Sequence, residues 1–147
     1  VGDMVNEEQK GILFEKLSRH YNGDLRGKTI TLWGLAFKPE TDDVREAPSL
    51  VLIEKLIAAG CNIKAYDPVA MPSAKAVVGD RITYCRDMYD AAIDSDAIML
   101  ITEWKEFRMP SLSVLERTMR HRVILDGRNI YDSEEMAEHG FTYYKIG

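Results

Sequence analysis

Three cations stand where the chain could meet an anion. The stretch GLAFKPETDDVREAPS, from Gly34 to Ser49, carries Lys38 and Arg45 between two apolar runs. Arg128 follows a further apolar run, in DGRNIYD at 126–132. A guanidinium can fork onto two phosphate oxygens, and an ammonium adds a compact charge. These residue types therefore suit a nucleotide's diphosphate. Glu40, Asp42, Asp43 and Glu46 share the first stretch. The alternative is that these acids pair with Lys38 and Arg45 and only order the loop. For Arg128 the alternative is a salt bridge to Asp126 or Asp132. Asp67 lies where a ribose-binding acid would lie, and it suits a turn cap before Pro68 equally well.

Peptide amides are a less suitable grip here. A dinucleotide turn needs a second glycine so that its backbone can approach a pyrophosphate. Ala36 stands at that place, followed by Phe37, Lys38 and Pro39. Pro39 has no N–H and disfavours helix at Lys38, so the next helix starts only near Pro48. A connection of roughly a dozen residues is longer than usual between a strand and a helix, and long connections at such places tend to be functional.

Nucleophilic and metal chemistry find no motif. Cys61 and Cys85 are the only cysteines, and neither stands beside a histidine base. They read as packed, reduced thiols. The three histidines and two cysteines share no ligand spacing, so no metal is expected. No catalytic residue is assigned.

The elements that must position these residues alternate. Residues 3–21 read as a helix, with acids in its first turns and bases in its last. Because it precedes the first strand, it is expected to pack on something beyond this domain. Strands follow at 29–35, 62–68, 96–102 and 122–127, with a last edge strand in TYYKIG. Helices are expected from Pro48 to Gly60, briefly after a cap at Asp87, from Pro110, and in SEEMAEHG. Residues 69–80 read as an irregular loop or a short helix. The strands are apolar throughout, which marks a sheet covered on both faces. The fold class is α/β, a Rossmann-like doubly wound, mostly parallel sheet preceded by a long N-terminal helix. Ligands of such sheets sit beyond the carboxyl ends of the strands. Phe37, Lys38, Arg45, Asp67, Thr102 to Trp104 and Asp126 to Arg128 all fall at those ends.

Composition sets the outer limits. The chain has 147 residues, 46% of them hydrophobic, enough for one domain with its own core. Net charge is −5 with no basic stripe, which argues against nucleic acid. No apolar run is long enough for a membrane span, and no export signal opens the chain, so a cytoplasmic protein is expected. Val1 in place of a Met suggests a piece of something longer.

GLAFKPETDDVREAPS, YDP, TEWKEF (102–107) and DGRNIYD, each at a strand end, together resemble the C-terminal domain of the UDP-glucose 6-dehydrogenases, within the UDP-glucose/GDP-mannose dehydrogenase family. The likeness covers nearly the whole chain and includes Val5, Asn6, Gln9 and Lys10 in the leading helix. The resemblance implies an NAD-dependent enzyme that oxidises the C6 alcohol of a nucleotide sugar to a carboxylate through a covalent cysteine intermediate. It implies that Phe37, Lys38 and Arg128 contact UDP-glucose or another nucleotide sugar, and that Arg45 reaches NAD held by another domain. Residues 1–25 would end a central helix through which the enzyme forms a homodimer, and residues 26–147 would be the UDP-sugar domain. The NAD-binding half and the cysteine segment lie outside this stretch, so the fragment alone should bind and close but not turn over. Other readings stay open. One is the same domain of a UDP-N-acetylmannosamine or GDP-mannose dehydrogenase. Another is a plain NAD-binding domain. A third is a non-enzymatic module such as a phospho-receiver.

Overall fold

The computed structural model describes residues 2–146, with side chains from residue 11 onward. The chain enters through α1 (Gly2–His20) and the turn that ends it, where Gly23 N–H donates to Ser18 O at 2.7 Å. Val5, Asn6, Gln9 and Lys10 lie outside the described side chains.

Six strands follow: β1 (Thr29–Trp33), β2 (Asn62–Tyr66), β3 (Thr83–Tyr84), β4 (Ala97–Leu100), β5 (Val123–Asp126) and β6 (Thr142–Lys145). Their order is β3-β2-β1-β4-β5-β6, and every pairing is parallel. This is the strand order of a dinucleotide-binding fold. The sequence suggested a mostly parallel sheet; among the described residues it is wholly so, because even the β5–β6 step is a crossover through a helix. β1, β4 and β5 are almost wholly buried, which explains why they are apolar apart from Thr29 and Thr31 in β1 and Asp126 at the end of β5.

The crossovers are α2 (Pro48–Ala58), α3 (Met71–Val78), α4 (Leu112–Thr118) and α5 (Ser133–Glu138). They leave β1 in opposite directions, so right-handed connections put α2 and α3 on one face and α4 and α5 on the other. That leaves room on the α2 face over β5, and α1 fills it, packing on α2 and β5. Leu13 and Leu17 of α1 are buried in the domain's own core. The second half of this helix thus packs on its own domain, a contact the sequence reading did not include.

Three local details also differ from expectation. α4 begins after Pro110: Ser111 is its cap, its Oγ accepting from Val114 N–H at 3.3 Å. The segment after Asp87 is a single 3-10 turn, Asp90–Ala92, although Asp87 does cap it by accepting from Tyr89 and Asp90 N–H at 2.9 and 2.8 Å. β3 was not anticipated at all.

Candidate functional site

Because all strands are parallel, their carboxyl ends form one rim. Two buried carboxylates organise it. Asp67, after β2, is fully buried. Its Oδ2 accepts from Leu35 N–H at 2.7 Å, Ala36 N–H at 3.1 Å and Trp104 Nε1–H at 3.0 Å. Its Oδ1 accepts from Val69 N–H at 2.9 Å and Ala70 N–H at 2.7 Å. Asp126, ending β5, is equally buried. It accepts from the N–H groups of Arg128, Ile130 and Tyr131 at 2.9, 2.8 and 3.0 Å and from the Tyr143 hydroxyl at 2.6 Å. Burial and the Asp126 carboxylate push the Tyr143 hydroxyl well above its usual range. Such a shell compensates for the loss of water around a buried charge.

Asp67 decides what the turn after β1 can hold. In a dinucleotide site the amides following the glycine face a pyrophosphate. Here the amides of Leu35 and Ala36 face an internal carboxylate instead. The carbonyls are occupied too: Leu35 O accepts from Ser49 Oγ–H at 2.7 Å and Ala36 O from Thr102 Oγ1–H at 2.7 Å. Gly34 has φ +98°, and a Cβ there would lie 2.5 Å from Thr102 Cβ. The turn after β1 therefore does not fit the pyrophosphate of NAD. Asp67 is a turn organiser rather than a free ribose-binding acid.

With the backbone committed, the loop presents side chains. Phe37 is 44% exposed, though its N–H is tied to Asp43 O at 2.8 Å. Lys38 is exposed and has no ion pair among the described residues. Arg45 is exposed and forks onto Asp43, Nε to Oδ1 and Nη2 to Oδ2, both at 3.1 Å. The Arg45 hydrogen bond holds the Asp43 carboxyl below the usual carboxylate range. The pairing alternative thus applies in full to Arg45, while Lys38 makes no contact pair among the described residues and acts on Asp43 only through its charge. Phe37, Asp43, Arg45 and Glu46 line a depression of about 380 Å³. Glu40 and Glu46 sit in the left-handed region, at φ 68° and 59°, a strain that marks a loop held in one shape.

Arg128 stands at the same rim, but its partner is neither Asp126 nor Asp132. Its Nε donates to Glu103 Oε2 at 2.7 Å and its Nη2 to Glu103 Oε1 at 3.1 Å. Sequence reading placed Glu103 at the β4 end without assigning it this role. The available signal was composition: in Thr102-Glu103-Trp104 the charged residue stands between two that are buried. Since Thr102 holds Ala36 and Glu103 holds Arg128, the turn bearing Lys38 and the loop bearing Arg128 are joined through adjacent residues.

Between the loops after β4 and β5, a cleft of about 250 Å³ is lined by Arg108, Pro110, Ile130, Tyr131, Asp132 and Met136, among others. Neither cysteine is poised for attack. Burial pushes the Cys61 thiol up to about 11 and also raises that of Cys85. No group of three or more His, Cys, Asp or Glu among the described residues could hold a metal ion. No helix among them is long and apolar enough to cross a membrane.

Comparison with known proteins gives a consistent answer. Residues 31–133 match the profile of the UDP-glucose/GDP-mannose dehydrogenase family, UDP binding domain. A UDP-glucose 6-dehydrogenase of Pseudomonas aeruginosa is 46% identical over 147 residues, covering 97% of this chain and 32% of its own. The solved UDP-glucose dehydrogenase of Pyrobaculum islandicum superposes with a TM-score of 0.73 at 30% identity, over 96% of this chain and 29% of that one. A UDP-D-ManNAc dehydrogenase from Pyrococcus horikoshii gives 0.73 at 26% identity, over 96% and 30%. The chain spans about a third of the length of these relatives.

Proposed function

The chain belongs to the UDP-glucose/GDP-mannose dehydrogenase family, and from that premise we propose that it is the C-terminal domain that grips the nucleotide sugar in an NAD-dependent UDP-glucose 6-dehydrogenase. The observation that carries this reading is the commitment of the turn's amides to Asp67. An anion arriving at this rim meets cationic side chains instead of peptide N–H groups. Lys38 and Arg128 take the diphosphate, and Phe37 covers the nucleotide beside them. Arg128 is held in advance by its fork onto Glu103, so it loses little ordering entropy on binding, whereas the exposed Lys38 side chain is ordered by the anion itself.

NAD does not belong in this turn, and no step of the chemistry is assigned to this chain. The cofactor supplies hydride acceptance from a part of the enzyme outside these residues, with Arg45 contributing one charge contact from across the cleft. The role of this domain is to bind, orient and exclude water as the two halves close over the sugar. Residues 1–25 end the helix that joins the halves and pairs two subunits; residues 26–147 form the UDP-sugar domain. The enzyme works in the cytoplasm, on a soluble nucleotide sugar.

In the intact enzyme, Lys38→Ala should raise KM for UDP-glucose about tenfold or more while KM for NAD stays near the parent value. Unchanged UDP-glucose kinetics would remove Lys38 from the site. The Pyrococcus likeness supports a second reading, the same domain in a UDP-N-acetylmannosamine or GDP-mannose dehydrogenase. Turnover of a panel of nucleotide sugars by the intact enzyme separates the two.

A further inference from the structure

Residues 102–104 turn tightly off the end of β4, Trp104 N–H donating to Thr102 O at 2.9 Å, with Glu103 at the apex. Thr102 and Trp104 are buried and turn toward β1 and β2, where they hold Ala36 O and Asp67. Glu103 turns the other way and meets Arg128 in a two-point fork. The loop carrying Arg128 is itself pinned. Its amide donates to Asp126, Asn129 sits at φ 57°, and the Asn129 side chain bonds both the N–H and the C=O of Ile146. The fork uses Nε and Nη2 and leaves Nη1 without a partner among the described residues. The pair is only part-buried, with side chains 34% and 22% exposed. Ion pairs of that kind contribute little to stability. What the fork does achieve is to remove guanidinium rotamers before any anion arrives.

We propose that Glu103 is a positioning residue for the nucleotide's diphosphate. It fixes Arg128 through Nε and Nη2 so that Nη1 is offered at the rim. Through Thr102 it also sets that guanidinium in register with the turn bearing Phe37 and Lys38. The proposal rests on the assignment of Arg128 to the diphosphate made above.

Simple electrostatics gives the opposite sign, which makes the test sharp. A carboxylate near a diphosphate repels it, so removing that charge should tighten binding. Positioning requires that binding weaken. The intact enzyme is titrated calorimetrically with UDP, comparing Glu103→Gln, Glu103→Asp, Arg128→Ala and the double variant Glu103→Gln/Arg128→Ala. Glu103→Gln should weaken UDP about tenfold with Tm close to the parent value, and should raise KM for UDP-glucose more than it lowers kcat. Glu103→Asp, which keeps the charge but falls short of the fork, should lose nearly as much. In the Arg128→Ala background, Glu103→Gln should cost nothing further. Tighter or unchanged UDP binding by Glu103→Gln, parental affinity in Glu103→Asp, or additive losses in the double variant would overturn the positioning role and leave Arg128 in place. If Arg128→Ala itself binds UDP like the parent, the assignment of Arg128 fails and the proposal fails with it.

Discussion

A buried carboxylate, together with Ala36 and Pro39 in the turn, separates this rim from a dinucleotide site. Asp67 supplies from within what a phosphate would supply from without: negative charge against the first amides after the glycine turn. Five N–H groups converge on it, and an amide side chain cannot accept from all of them. Asp67→Asn should therefore destabilise the fold by about 2–4 kcal/mol, read from urea unfolding of the chain. A loss well below that range would mean that the hub is dispensable. Gly34 is intolerant for a different reason. At φ +98°, with Thr102 backbone and side chain within 2.6 Å of a built Cβ, Gly34→Ala combines strain with a clash. Its expected cost exceeds about 2 kcal/mol, with loss of UDP binding because the Lys38 turn shifts. The sequence showed which residues stand at the rim, and it left both meanings of Asp67 open. Burial of the carboxylate and the direction of its lone pairs resolved them. The partner of Arg128 was misread, since Glu103 is 25 positions away and only the β4–β5 pairing brings it close.

Among the elements, the ones with strong local signals were those read correctly. β4 is a continuous apolar run, β1 and β5 are apolar but for threonines and a final Asp126, and α2 has Pro48 at its start and Gly60 beyond its end. α3 carries the same pair, Pro72 in its first turn and Gly79 at its end, but no side-chain cap. Its N-cap is Ala70, which has no capping side chain, and the nearby amides of Val69 and Ala70 are served by Asp67 instead. β3 is two residues long, too short for any period to register, and exists only because Lys64 and Ala65 offer it an edge. Where a local cap is present, its effect should be local. Ser111→Ala removes the α4 cap at a cost of about 1 kcal/mol, visible as a modest drop in Tm. UDP binding should not change, because α4 presents none of the proposed contacts.

Across the whole molecule, buried tyrosine hydroxyls and the Cys61 thiol oppose ionisation at alkaline pH. Burial, aided by nearby Asp96, raises Tyr21 to about 12; burial and the hydrogen bond with Glu106 raise Tyr66 to about 12 as well. Burial lifts Tyr131 and Tyr143 further. An unfolded tyrosine ionises near pH ~10, so above that the unfolded chain sheds protons that the folded chain keeps. The buried Cys61 thiol, up to about 11 from an ordinary 9.0, adds to this from lower pH, so stability should hold below about pH 9 and fall as pH rises toward 12. Urea midpoints at pH 8 and at pH 11 test this, and equal midpoints would show that the hydroxyls are not so confined. The sequence by itself determined the layering, the parallel strands and the edge at which cations collect, because hydrophobic period and turn chemistry act within a few residues. It also carried the resemblance to a family of sugar-nucleotide dehydrogenases. Only the tertiary structure decided which charges are free and which are internal. Asp67, Glu103 and Lys38 are all charged residues in loops, and no local pattern separates them. Their roles follow from neighbours contributed by other strands, which chain distance cannot foretell.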